Sequence, residues 1–121
     1  MNARRQQVYT ALFRAKDGVL ERLMPDSAIA ITELDQRLSA FDEPVRLCGD
    51  GYDITLPLLT HKVIPTSERY RHQSGYAVAQ VARRMHASGE LCTDITLSPI
   101  YLRLSQAERE RAERLGVDTG I

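Results

Sequence analysis

Residues Gln6 to Met24 read QQVYTALFRAKDGVLERLM, and this stretch decides the fold that the sequence predicts. Along Gln6–Ala15, apolar or small residues fall on both faces of an extended chain, which is typical of an interior strand covered on both sides. Asp17-Gly18 then favours a tight hairpin turn, because glycine adopts positive φ without strain. The chain returns through Val19–Met24, so the stretch predicts a leading β-hairpin.

Helices and short strands alternate after the hairpin. Pro25-Asp26-Ser27 is expected to interrupt the returning strand. Thr32 is the predicted N-cap of a first helix, which ends before Pro44 because the residue preceding a proline avoids helical geometry. Val45–Cys48 is then a predicted short strand that runs into Gly49-Asp50-Gly51.

The second half of the chain contains two predicted helices. The sequence does not decide the secondary structure of residues 52–66, since their short apolar runs fit strands and helices equally well. The longest helix is expected over about Glu68–Ser88, with Gly89 as the residue that ends it. A charged helix follows over Gln106–Leu115. This order predicts one α/β domain of 121 residues, with a mixed sheet and its leading hairpin covered by helices.

Composition excludes several classes of protein. The 16 basic and 16 acidic residues cancel, which argues against a protein whose main task is to bind nucleic acid or an acidic membrane. Cys48 and Cys92 belong to no CxxC pair, so reduced structural thiols are expected. No apolar run approaches the ~20 residues of a membrane helix, and no signal peptide is recognisable. A cytoplasmic protein is the expectation.

Catalytic motifs are also missing from the sequence. His61, His72 and His86 lack the spacing of a zinc-protease helix. No phosphate-binding loop and no nucleophile elbow occur, and Gly49-Asp50-Gly51 favours a plain turn over a ligand site because Gly and Asp favour turns for conformational reasons. We therefore expect no catalytic residue, no metal and no cofactor.

Four stretches, in order, carry a family resemblance. They are NARRQQVYTALF from Asn2 to Phe13, LCGDG from Leu47 to Gly51, the glycine-terminated helix Tyr76–Gly89, and SPIYLRLSQAER from Ser98 to Arg109. Together they resemble the TsaB/YeaZ family, and the last stretch is the most specific of the four. Asn2 stands where the family pattern has aspartate.

The resemblance implies a fold and a role. The chain is similar to the C-terminal lobe of an RNase H-like protein of the actin/Hsp70-type ASKHA class, while family members are about twice as long and carry a first lobe. It implies a non-catalytic subunit that supports the catalytic TsaD, together with the ATPase TsaE, in making threonylcarbamoyladenosine in tRNA. Nucleic acid would be contacted only indirectly. First-lobe helices make the main TsaD contact in the family, so binding of TsaD stays open.

Nine positions are carried over by matching the family motifs, and most are expected to be structural. They are Arg4, Arg5, Tyr9, Gly49, Asp50, Gly51, Pro99, Tyr101 and Arg103. We expect Tyr101 and Leu102 to dock the tail on the sheet, so that replacing Tyr101 by alanine would cost ~3 kcal/mol or more. Arg103 is expected to pair with a carboxylate or a carbonyl.

Two other interpretations remain open at the level of sequence. The chain could be a free-standing interaction module that dimerises through an unpaired sheet edge. It could also be one lobe of an actin-like kinase or hydrolase, although that class needs the phosphate loop that the sequence lacks. An older M22 glycoprotease label, attached to such proteins, finds no support in the histidine spacing.

Overall fold

The part of the chain that the structure describes, residues 1, 3 and 5–116 of a computed structural model, is a mixed α/β fold with a leading antiparallel hairpin. The strands and helices, in chain order, are β1 (Gln7–Lys16), β2 (Val19–Ala30), α1 (Ile31–Leu38), β3 (Val45–Arg46), α2 (Tyr52–Thr55), a 3₁₀ turn (Leu56–Leu58), β4 (Val63–Ile64), a second 3₁₀ turn (Glu68–Tyr70), α3 (Gly75–Ala87) and α4 (Gln106–Leu115).

The predicted hairpin is confirmed. β1 and β2 pair antiparallel and are joined by Asp17 and Gly18, whose φ angles are 53° and 77°. Two successive positive φ values define a type I′ turn, whose twist matches that of the flanking strands. The two central residues of the turn therefore set the register of the adjoining pairs, from Lys16–Val19 to Phe13–Arg22.

Pro25 lies inside β2, so the prediction that Pro25–Ser27 interrupts this strand was wrong. The pairing register jumps on both sides of the Leu12–Met24 pair, and each jump places one extra residue in β2. Proline is tolerated at such bulges because the bulged residue needs no ladder hydrogen bond. β2 therefore continues through the proline to Ala30.

The hydrophobic core lies between the hairpin and α1. Its buried side chains are Val8, Met24, Ile29, Ile31, Leu34 and Leu38. The last three repeat at helical spacing on one face of α1. Burying each such side chain stabilises the fold by about 1.5–3 kcal/mol relative to exposing it.

α1 begins without a side-chain cap, so the prediction of Thr32 as its N-cap was wrong. The N-cap residue is Ala30, the last residue of β2. The backbone N–H of Ile31 instead donates to the carbonyl oxygen of Gln6 at 3.0 Å. A strand that runs directly into a helix can satisfy a helix N–H group through its neighbouring strand.

The strands form two small sheets, which corrects the prediction of one mixed sheet. β1 pairs with β2 in an antiparallel sheet, and β3 pairs with β4 in a parallel one. Among the described residues, β2 is the strand that pairs with β1, so the predicted interior strand is not observed there. Apolar residues on both sides of a strand indicate that both faces of the sheet are covered. Whether the strand is interior depends instead on whether other strands pair with both of its edges, which the side-chain pattern does not show.

The longest helix begins later than predicted. A 3₁₀ turn at Glu68–Tyr70 precedes it, and α3 starts at Gly75, where the Ser74 side chain accepts a hydrogen bond from the Ala77 N–H at 3.1 Å. A serine cap of this kind fixes where a helix starts. Gly89, with φ of 82°, follows the helix as predicted.

Apolar side chains of α3 remain exposed, so this helix covers the sheet less than predicted. Val78, Val81 and Met85 lie on the helix with 61%, 53% and 43% of their surface exposed. α4 matches its predicted bounds. None of the helices in the described part of the chain is long and apolar enough to cross a membrane.

Candidate functional site

Three segments that the motif residues mark come together around the first residues of the chain. The segments are residues 1, 3 and 5–9, the Gly49–Gly51 turn and Arg103 of the tail. We call them the N-terminal cluster. Arg4 and Asn2 lie outside the described residues.

The first residues fold back along β1 in a short antiparallel pairing. The Met1 nitrogen donates to the Tyr9 carbonyl at 2.8 Å, and the Tyr9 N–H donates to the Met1 carbonyl at 2.8 Å. The Ala3 N–H donates to the Gln7 carbonyl at 3.0 Å. Arg5 lies in the turn with φ of 52°, a left-handed conformation that is uncommon for non-glycine residues.

Arg103 ties the tail to this pairing. Its guanidinium donates to the Ala3 carbonyl at 2.9 Å and to the Gln7 side-chain oxygen at 3.0 Å. The prediction that Arg103 pairs with a carbonyl is confirmed. These contacts join positions 96 and 100 residues apart in the chain.

The Gly49-Asp50-Gly51 turn lies beside Met1. Gly49 has φ of 104°, and a Cβ atom built on it would lie 3.8 Å from the Met1 nitrogen. An Asp50 carboxylate oxygen also lies 3.8 Å from that nitrogen. The Gly51 carbonyl accepts from the Thr55 N–H at 3.1 Å, which starts the four-residue helix α2. The turn therefore supports the N-terminal segment and redirects the chain into α2.

Pro99 and Tyr101 do not join the cluster. The Tyr101 side chain is 83% exposed, so the prediction that it docks the tail on the sheet was wrong, and with it the expected ~3 kcal/mol for its removal. Aromatic side chains in sequence motifs are often buried, but the motif itself does not require burial. Here the neighbouring Arg103 provides the contact with the rest of the chain.

Sequence reasoning missed a second polar cluster, around Asp35 on α1. The Asp35 carboxylate accepts from the Thr60 hydroxyl at 2.7 Å, from the Thr60 N–H at 2.9 Å and from the His61 N–H at 3.1 Å. The hydrogen bond from the Thr60 hydroxyl, followed by that from the His61 N–H, lowers the pKa of Asp35 below its ordinary value. His61 Nε2 in turn donates to the Glu43 carbonyl at 2.8 Å.

A third missed contact holds the segment before α3. The Arg71 guanidinium lies 4.0 Å above the ring of buried Tyr52 and donates through Nε to the Thr66 carbonyl at 2.9 Å. The Thr66 hydroxyl donates to the Leu47 carbonyl at 2.6 Å. No sequence signal marks these partners, because they come from an arginine and a threonine in otherwise irregular segments.

The chemistry of the N-terminal cluster is that of a scaffold. Its polar contacts run from one chain segment to another, and they are mostly made to backbone carbonyls. Within residues 1, 3 and 5–116, no three His, Cys, Asp or Glu side chains lie together as a metal site would require. Cys48 and Cys92 are free and exposed.

Fold and cluster together define a small mixed α/β protein whose motif residues hold distant chain segments together. Comparison with known proteins gives a more specific relationship. The chain is distantly homologous to the tRNA threonylcarbamoyladenosine biosynthesis protein TsaB of Bacillus subtilis, with 29% identity over 118 residues. The match covers 93% of this chain and 49% of TsaB, so the chain spans about half the length of that relative. No protein-family model and no solved structure matches the chain.

Proposed function

We propose that residues 1–121 are the counterpart of the C-terminal lobe of TsaB, with the RNase H-like topology of the ASKHA class. The observation that carries the proposal is the alignment with TsaB, which runs over almost the whole chain. The leading antiparallel hairpin, followed by a helix and a parallel strand pair, is compatible with such a lobe.

The function that follows is support of threonylcarbamoyladenosine synthesis in tRNA, without catalysis by this chain. TsaD would be the catalytic partner and TsaE the accompanying ATPase, in the cytoplasm. The chain needs no cofactor of its own for this role, and it would contact tRNA only through its partners. Its balanced charge, with 16 basic and 16 acidic residues, fits an indirect role better than direct binding of the tRNA phosphates.

The motif positions take structural roles in this proposal. Arg5 forms part of the turn that lets the first residues pair with β1, and Tyr9 makes hydrogen bonds in that pairing. The turn of Gly49, Asp50 and Gly51 lies beside Met1 and supports the pairing there. Arg103 fastens the tail to it. The exposed Pro99 and Tyr101 remain available for a partner. Arg4, outside the described residues, belongs to the same motif.

A reconstitution assay tests the function. TsaD and TsaE are incubated with tRNA and the reaction's substrates, and this chain replaces full-length TsaB. A second mixture also contains, as a separate polypeptide, the half of TsaB that the chain does not match. Full-length TsaB is the positive control, and a mixture without this chain is the matched blank.

We expect modified tRNA in the mixture that contains both halves and none with the matched blank. No modification in that mixture, with full-length TsaB active, would overturn the proposal. Modification by this chain alone would keep the function, and it would show that the unmatched half of TsaB is dispensable for contact with TsaD.

A second candidate, an interaction module that dimerises, is favoured by one observation. The apolar side chains of Val78, Val81 and Met85 form an exposed face on α3. Exposed apolar patches on small proteins commonly mark interaction surfaces. Sedimentation velocity over a hundredfold range of concentration tests it, because a module of this kind would shift from monomer to dimer as concentration rises.

A further inference from the structure

A groove lies between the tip of the β1–β2 hairpin and α3. Its volume is about 830 Å³, and exposed apolar side chains from both elements line it, namely Phe13, Val19, Leu20, Val81 and Met85. Arg84 also lines it, and in the part of the chain that the structure describes no Asp or Glu lies within ion-pair distance of Arg84. The groove therefore suits an occupant with apolar side chains and a negative charge.

The segment that follows α3, residues 91–102, is held at both ends, and we call it the strap. At its beginning, Glu90 lines the groove, and the Glu90 N–H donates to the Met85 carbonyl at 2.9 Å. At its end, Arg103 donates to the Gln7 side chain at 3.0 Å. Gln7 begins β1, whereas the groove lies at the other end of the hairpin. The strap therefore runs from the tip of the hairpin to its base.

The strap is longer than this path requires. The 10 residues of β1 span roughly 30 Å, while an extended strap would reach about 40 Å. A turn takes up the surplus, in which the Thr93 N–H donates to the Thr96 hydroxyl at 2.7 Å and the Leu97 N–H donates to the Thr93 carbonyl at 2.8 Å. These bonds stay within the turn, so the strap has slack to move across the groove while both of its ends remain attached.

The apolar side chains of the strap match the lining of the groove. Leu91, Ile95 and Leu97 are exposed in the structure. They occupy alternate positions, so they point to the same side of the strap when its chain straightens. Contact between two exposed apolar surfaces removes both of them from water, which favours closure of the strap over the groove.

The charges of the strap and the groove also match. Asp94 is the one charged residue of the strap, and no cation of the described residues lies within ion-pair distance of its carboxylate. At the groove, Arg22 already pairs with Asp26 at 2.7 Å. Glu90 already accepts a hydrogen bond from a neighbouring hydroxyl at 2.9 Å. Arg84, which flanks the apolar face of α3, is therefore the charge that Asp94 can match.

We propose that the strap closes over the groove and shields the apolar face of α3 from other molecules. In the closed arrangement Leu91, Ile95 and Leu97 lie against the apolar side chains of the groove. Asp94 lies beside Arg84. The structure shows the open arrangement, in which the groove and the strap are both exposed. A partner of the α3 face must displace the closed strap, so closure regulates access to that face, whatever role the chain has in tRNA modification.

Oxidation of Met85 measures closure. Dilute hydrogen peroxide converts an exposed methionine to its sulfoxide, and mass spectrometry of a digest gives the rate at Met85. Ile95→Ser removes the central apolar side chain of the strap. Ile100→Ser is the matched control, because Ile100 is also exposed, at 81% against 90% for Ile95, and lies at the attached end beyond Pro99. We expect Ile95→Ser to speed the oxidation of Met85 at least about threefold and Ile100→Ser to leave it unchanged.

A disulfide formed in oxidised glutathione locates the closed strap. The background carries Cys48→Ser and Cys92→Ser, since both native thiols are free and exposed. Val81→Cys is then combined with Ile95→Cys. In the matched control Arg83→Cys replaces Val81→Cys, because a rotation of about 200° places residue 83 on the opposite face of α3. A disulfide needs Cα atoms within about 7 Å, so the first pair should form an intrachain bridge at least about tenfold faster than the control pair.

Three results would overturn the proposal. They are equal rates of Met85 oxidation in the two serine variants, equal rates of bridging in the two cysteine pairs, and a bridge between residues 81 and 95 that joins two chains. Should a cysteine pair fail to fold, the oxidation rates decide alone, because Ile95 and Ile100 are exposed and their replacement leaves the core intact.

Discussion

Arg103 joins the tail to the beginning of the chain, and its removal should be measurable. Its guanidinium makes charge-assisted hydrogen bonds to the Ala3 carbonyl and the Gln7 side chain in a half-buried setting. Such bonds contribute about 1.5–3 kcal/mol each in mutational series, and less where water competes for half-exposed partners, as it does here. We expect Arg103→Ala to lower the free energy of unfolding by about 1–3 kcal/mol, as measured by urea denaturation.

The matched control is Arg109→Ala in the same tail. Arg109 donates at 3.3 Å to the carbonyl of Leu104, only five residues away, and so fastens no distant segment. Its loss should cost less than about 0.5 kcal/mol. Equal losses for the two variants would show that Arg103 does not hold the tail against residues 3–7.

Asp35 gives the stability of the protein a dependence on pH. Hydrogen bonds from the Thr60 hydroxyl and the His61 N–H lower the pKa of this carboxyl in the folded state. The folded protein therefore releases the proton more readily than the unfolded chain, so the charged form contributes stability above the unfolded pKa of ~3.9. That contribution disappears as pH falls through the lower folded pKa.

Urea denaturation between pH 6 and pH 2.5 tests this, with Asp35→Asn as the variant. We expect the variant to be less stable than the unmodified chain at pH 6, and the difference to shrink as the solution is acidified. Asp42→Asn is the control, since Asp42 is exposed in the loop after α1. A constant difference across the pH range would contradict the role of the Asp35 charge.

Sequence reasoning found Arg103 but missed Asp35, and the reason is physical. Arg103 could be predicted because its motif had already been matched to a family and an arginine needs acceptors. Asp35 could be assigned only to the first turn of a helix. Its partners Thr60 and His61 lie 25 and 26 residues away, in a segment that the sequence left open. Contacts of that kind depend on how elements pack, which local patterns do not contain.

At the scale of elements, the hairpin turn provides a clean test of backbone conformation. Gly18 has φ of 77°, and an added Cβ would meet no atom within 4 Å. Any cost of Gly18→Ala therefore comes from the left-handed backbone, at about 1–2 kcal/mol. Gly75→Ala is the control, because Gly75 also has open space around it but has no positive φ and lies in α3.

Only the Gly18 variant should lose stability. Gly18→Ala is expected to lower the melting temperature, whereas Gly75→Ala should leave it unchanged or raise it, because alanine favours a helix by up to ~1 kcal/mol. Thermal unfolding followed by circular dichroism measures both. Similar losses would mean that the cost at residue 18 does not come from its φ.

Elements with local signals were predictable, and elements set by packing were not. The Asp17-Gly18 turn and the apolar face of α1 follow from residues adjacent in sequence or one helical turn apart. The passage of β2 through Pro25 does not, because it depends on bulges against β1. The split into two sheets escaped prediction for a related reason, since residue patterns describe sheet faces and leave sheet edges undetermined.

At the scale of the whole molecule, burial is uneven along the chain. In the described residues, every buried side chain lies between Ala3 and Thr66, and residues 67–116 contribute none. Segments with few buried apolar contacts open at lower free energy than the core. The two halves of the chain should therefore differ in local stability, although the tail is fastened at Arg103.

Native-state hydrogen exchange measures this difference directly. We expect backbone amides of β1, β2 and α1 to exchange only through global unfolding, with free energies that fall steeply as denaturant is added. Amides of α3 should exchange through local opening, with lower free energies that depend little on denaturant. Repeating the measurement at ten times the protein concentration is the control. Protection of α3 equal to that of α1 at both concentrations would contradict the uneven distribution of stability. Protection that appears only at the higher concentration would mean that a second copy covers the apolar face of Val78, Val81 and Met85.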